Sequence, residues 1–185
     1  DFVEFPSQVN EMWIFWPEVV DNFAVHYQTG ERLPQSIIDA IDNSSTFNQG
    51  HDTSAYLQAA ILDLALHEIH DGYEIEDLIA FEEQAIAHYG LEYAPVPTRY
   101  RSTYFSHIFA GGYSAGYYGY IWSEILDADT VDWFKANGGL TRANGDHFRS
   151  TLLSRGGSID SMQMFRNFRG RDATIEPLLK RRGLT

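Results

Sequence analysis

The period that stands out along the chain is helical. Leu78, Phe81, Ala85 and Tyr89 recur every three or four residues with acids between them, which predicts a helix over 74–89 with one apolar face, closed by Gly90. Upstream, the run from Tyr56 to Leu66 is apolar on most sides and rich in helix formers. It is too long for an average strand and reads as a buried central helix over 53–70, ended by Asp71-Gly72. Residues 5–27 also read as helical, with Pro6 acceptable in a first turn and Pro17 a kink or break. A short helix is expected over 36–43, after Leu33-Pro34, and a loop over 46–50.

Pro95, Pro97 and the polar run 98–104 make 91–106 the longest irregular stretch. A long helix is then expected over 112–137, stopped by Gly138-Gly139. Three short ones follow over 141–154, 158–168 and 174–182, separated by Gly156-Gly157 and Gly170. Alternating β-branched residues are nearly absent, so the fold class is all-α, and no repeat or low-complexity tract divides the single helical region over 1–185.

Composition narrows the function. With 44% hydrophobic and 21% charged residues the chain folds around a core, since disorder requires low hydrophobicity with high charge. A net charge of −13 repels phosphate backbones and anionic headgroups, so neither nucleic acid nor a membrane is expected as a partner. The absence of cysteine removes disulfides, thiolate nucleophiles and cysteine metal sites, and agrees with a cytoplasmic location. No apolar run approaches the roughly 18 residues of a membrane helix, and the start lacks the order of a signal peptide. Asp1-Phe2-Val3-Glu4-Phe5-Pro6 reads as the interior of a longer sequence.

Among candidate chemical groups, His67-Glu68-Ile69-His70 does not make a zinc motif. Its histidines stand at i and i+3 at a helix end, whereas one metal on one helical face needs i and i+4; they read as helix-end histidines that favour the negative end of the dipole. The segment from Gly111 to Tyr120 is more unusual. On a helix, Tyr113, Tyr117 and Tyr120 share one face and Gly112, Gly116 and Gly119 form a smooth stripe beside it, with His107 just upstream. Two readings stand: an aromatic core stripe, or hydroxyls donating to a developing oxyanion or to peptide carbonyls. Glu4 and Glu11, seven residues apart, lie on one side of a helix that runs through Pro6; taken alone they are dipole complements.

The stretch from Asp1 to Trp13, with Phe5-Pro6-Ser7-Gln8 inside it, resembles the thimet-oligopeptidase and peptidyl-dipeptidase family of zinc metallopeptidases. The same family's pattern returns in His107-Ile108-Phe109-Ala110-Gly111-Gly112-Tyr113, in Tyr117-Tyr118-Gly119-Tyr120-Ile121-Trp122, in Leu153-Ser154-Arg155-Gly156-Gly157-Ser158 and in the run from Phe165 to Arg171. Phe5-Pro6-Ser7-Gln8 and Arg99-Tyr100-Arg101-Ser102 look closest to its bacterial dipeptidyl carboxypeptidase branch.

The resemblance implies the C-terminal portion of the catalytic domain of a mostly helical peptidase with a deep channel. Zinc is held there by two histidines of a His-Glu-x-x-His helix and by a later glutamate, and Glu4 matches that glutamate. His107, Tyr113 and Tyr120 match the groups that bind substrate and stabilise the tetrahedral intermediate. Glu11 is expected to orient a histidine ligand, Tyr117 to contact substrate, and Arg99 or Arg101 to pair with a substrate C-terminal carboxylate. No His-Glu-x-x-His occurs in these residues, so it is expected upstream. The implied partners are short peptides and that N-terminal portion, and the chain alone is expected to be inactive. An internally cleaving oligopeptidase and a non-catalytic helical interaction module are the alternatives.

Overall fold

The computed structural model describes residues 2–184, and among them the regular elements are all helical. In chain order they are α1 (Phe5–Glu11), α2 (Pro17–Phe23), α3 (Gln35–Ser44), α4 (Gln49–His67), α5 (Leu78–His88), α6 (Ser106–Ala110), α7 (Gly119–Ala136), α8 (Arg142–Thr151), α9 (Ser161–Arg169) and α10 (Glu176–Arg181). A single antiparallel bridge, Val25 to Arg32, closes the turn after α2. The chain forms two compact units, one from Asn48–Gly119 and one from Phe2–Phe47 together with 120–184.

In the first unit α4 packs on α5, and Ala59, Leu62, Ile86, Val96, Phe105, Ile108 and Tyr117 are buried. The buried Gln58 amide donates to the carbonyls of Leu91 and Val96, so the proline-containing loop after α5 is held to α4 by side-chain bonds. In the second unit the core joins Phe5 and Val9 of α1, Leu126 and Phe134 of α7, Phe148 of α8 and Met164, Phe165 and Phe168 of α9. Aromatic edges meet aromatic faces there, as in Phe5 against Phe148 and Trp13 against Phe134. Gly139 has φ +81°, where a side chain is strained, and a Cβ on it would stand 3.3 Å from the Trp16 ring, which would have to shift by a few tenths of an ångström.

Several boundaries differ from the sequence expectation, each for a local reason. The helix expected over 5–27 is α1, a 3-10 turn over Met12–Phe15, and α2. Pro17 forces Trp16 into an extended conformation, φ −71° and ψ 131°, so it opens a new helix. The helix expected over 53–70 runs 49–67, with Glu68 as its C-cap, and His70 lies beyond it in the turn that the Tyr73 amide closes on the His70 carbonyl around Asp71-Gly72. The helix expected over 74–89 starts at Leu78, where the Asp77 carboxylate accepts the amides of Ile79 and Ala80.

The largest correction concerns 112–137. Only 119–136 is helical; 111–118 is a series of turns in which Gly112 has φ +78° and Ala115 φ +53°. Tyr113, Tyr117 and Tyr120 therefore do not line one helical face.

Candidate functional site

In the first unit the tyrosine-glycine segment is shaped by α4. Asp63, one turn before the C-terminal end of that helix and wholly buried, accepts the Ala115 amide on one carboxylate oxygen at 2.9 Å and the Tyr117 amide on the other at 2.8 Å. The amides that a helix over 112–118 would have used internally are spent on this carboxylate. The His67 Nδ1 stands 2.9 Å from the same group, one turn on along α4. Ser114 Oγ donates to the Ile108 carbonyl, tying the turn to α6.

This arrangement places the Tyr113 ring edge-on to His107, with centroids 4.7 Å apart, and both side chains are half-buried. Tyr117 has a different setting. It is 3% exposed, stacked on Tyr56 and edge-on to Phe105 and His107, and the Tyr56 hydroxyl donates to its carbonyl. Burial pushes its hydroxyl well above the ordinary tyrosine range, so it stays protonated.

The two arginines expected to meet a substrate carboxylate also differ. Arg101 donates to Glu82 at 2.8 Å, and the Ser102 amide reaches the other oxygen of that carboxylate at 2.7 Å. Burial of Glu82 works to raise its carboxyl, but these bonds outweigh it and hold the group below its ordinary value. Arg101 is thus committed to a buried partner. Arg99 is exposed, with its guanidinium 5.6 Å from the centre of the Tyr100 ring.

In the second unit Glu4 is half-buried at the N-terminus of α1 and Glu11 is that helix's last residue. Pro6 sits in the first turn, where its missing amide is no loss, so the helix runs through it. Glu4, Gln8 and Glu11 share one face, and the Gln8 amide donates to the Tyr120 carbonyl at 3.2 Å, which turns that face toward the first turn of α7. The buried Gln8 Oε1 has no partner among the described residues.

An acceptor-lined face with a half-buried carboxylate fits a cation. Among the described residues, however, no three histidine, aspartate or glutamate side chains gather to hold one. A carboxylate is a donor type that zinc accepts, and by itself it does not make a site.

The sequence reading missed Asp63 and Glu82. The signal for Asp63 is an aspartate at the centre of an apolar helical run, because a buried carboxylate must be satisfied by something. Glu82 carries no such mark, since its neighbour Glu83 on α5 is an ordinary exposed acid.

The profile of Peptidase family M3 matches residues 1–184. Over 184 residues the chain is 45% identical to the dipeptidyl carboxypeptidase of Escherichia coli K12. It is 37% identical over 194 residues to the probable cytosolic oligopeptidase A of Arabidopsis thaliana, and 35% over 188 residues to oligopeptidase A of Haemophilus influenzae. Each match covers 100% of this chain and 27% of the relative, so the chain spans about a quarter of their length. No helix among the described residues is long and apolar enough to cross a membrane.

Proposed function

Because the chain belongs to peptidase family M3, we propose that it is the C-terminal part of the catalytic domain of a zinc peptidase that releases dipeptides from the free C-terminus of short peptides. The observation that carries the choice of reaction is the 45% identity to a dipeptidyl carboxypeptidase along the whole chain, against 37% and 35% for the two oligopeptidases. The remaining zinc ligands and the general base come from the rest of the polypeptide, and the chain alone is inactive. A cytoplasmic location accords with the cysteine-free composition.

Glu4 supplies a carboxylate to the metal, and Glu11 accepts from a histidine ligand to fix its ring. The chemistry a bound zinc would supply is polarisation of the scissile carbonyl and a lowering of the pKa of a water to about 7. Tyr120 donates its hydroxyl to the oxyanion. The His107 and Tyr113 pair binds the substrate backbone and stabilises the tetrahedral intermediate. Tyr117 backs that pair with its buried ring. Arg99 takes the substrate C-terminal carboxylate, because its guanidinium is presented to solvent whereas Arg101 is held by Glu82.

The test is turnover by the complete enzyme of one peptide in free-acid and C-terminally amidated forms. Amidation removes the charge-assisted bonds, so the amide is expected to be cleaved at least about tenfold more slowly, with dipeptides as products of the acid. Equal turnover of both forms, with internal products, supports the oligopeptidase reading.

A further inference from the structure

Asp63 has no part in the roles proposed above. We propose that Asp63 is a positioning residue: its carboxylate fixes the 113–117 turn on α4 and thereby sets Tyr113 against His107. The inference rests on the reading that this pair acts in the reaction.

The Ala115 and Tyr117 amides converge on one carboxylate because the backbone between them bends through the left-handed conformation at Ala115, φ +53°. Successive amides arranged in this way make an anion-binding concavity, and Asp63 is an anion tethered inside it. Asp63 is 0% exposed and uses both oxygens on the turn, while His67 Nδ1 stands 2.9 Å from one of them and 2.8 Å from the Asp63 backbone carbonyl. The Ser114 hydroxyl then fastens the same turn to α6, the helix that carries His107. The 4.7 Å separation of the Tyr113 and His107 rings is therefore defined from α4, through Asp63, and from α6, through Ser114.

Asp63→Asn replaces one acceptor by an amide group that points its own hydrogens at a backbone amide, while keeping the volume of the side chain. Misplacement of a reacting group by about 1 Å costs up to about 10²-fold in rate. In the complete enzyme, Asp63→Asn is expected to lower kcat by about 10- to 100-fold with KM changed far less and zinc content unaltered. In a Tyr113→Phe background the same substitution is expected to cost little more, since it acts through the hydroxyl already removed. Undiminished kcat, or a loss of equal size in both backgrounds, overturns the proposal.

Should the variant fail to fold, the decision passes to hydrogen exchange of the wild-type enzyme. The Ala115 and Tyr117 amides are expected to exchange at least tenfold more slowly than those of Gly111 and Gly112. Equal exchange overturns the anchoring. The parent reading fails separately: a Tyr113→Phe enzyme with full activity removes Tyr113 from the reaction, whatever Asp63 does to the turn.

Discussion

Tyr117 and Tyr120 stand three residues apart and differ in kind. Tyr117 is a core residue whose hydroxyl is held out of water, whereas Tyr120 is half-buried in the first turn of α7, beside the α1 face that carries Glu4. Tyr120→Phe in the complete enzyme is expected to lower kcat by roughly 10²–10³ with little change in KM or melting temperature. Tyr117→Phe is expected to destabilise by about 1–3 kcal/mol with near-normal turnover by the folded fraction. Melting curves and steady-state kinetics on the same preparations distinguish the two; a destabilised but fully active Tyr120→Phe enzyme takes Tyr120 out of the mechanism.

Asp127 offers a pH-dependent reading at the same scale. Burial pushes its carboxyl from 3.8 up to about 6, against the lowering influence of its ion pair with Arg181. With the folded value above the unfolded one, its stabilising contribution is fully present below 3.8 and is lost as pH rises through about 6. Denaturant titrations of wild type and Asp127→Asn between about pH 4 and pH 7 are expected to show wild type losing about 1–3 kcal/mol relative to the variant as pH rises. A constant difference over that range contradicts the raised value.

At the scale of elements, the C-terminal helices are held by charge as much as by apolar contact. Asp129 of α7 is wholly buried and accepts from Arg169 at 2.7 Å, from both terminal nitrogens of Arg171 at 2.6 and 2.8 Å, and from the Thr174 amide at 3.1 Å. One carboxylate thus fixes the end of α9 and the link to α10 against α7. Asp129→Ala leaves two guanidinium groups facing an empty site. The expected cost is about 3 kcal/mol, at the low end for a broken buried pair because Arg171 reaches solvent. A loss under about 0.5 kcal/mol in urea denaturation contradicts this role.

At the scale of the whole molecule, no three histidine, aspartate or glutamate side chains among the described residues gather to hold a metal, and the proposed carboxylate of Glu4 by itself does not close a coordination shell. Zinc titrated calorimetrically into the metal-free 185-residue chain is expected to show no stoichiometric submicromolar site. Such a site, if found, points first to His67 and His70. In the complete enzyme, Glu4→Gln is the matching substitution: zinc content after dialysis is expected to drop, because an anionic ligand becomes neutral.

Helical class and most helix positions were legible in the sequence because they follow from local physics: a 3.6-residue apolar period, and glycine or proline where a helix stops. The roles proposed for Glu4, His107, Tyr113 and Tyr120 rest on resemblance, since taken alone Glu4 reads as a helix-dipole complement and the tyrosines as an aromatic core stripe. Two decisions belonged to tertiary structure alone. The segment 111–118 has the spacing of a helix and is not one, because Asp63, some fifty residues earlier, takes the amides of Ala115 and Tyr117. Arg101, adjacent to the same loop as Arg99, is claimed by Glu82 across a turn of chain that no local period reveals. A buried carboxylate must find donors wherever the fold brings them, and that partner is fixed by packing between distant segments rather than by the residues on either side of it.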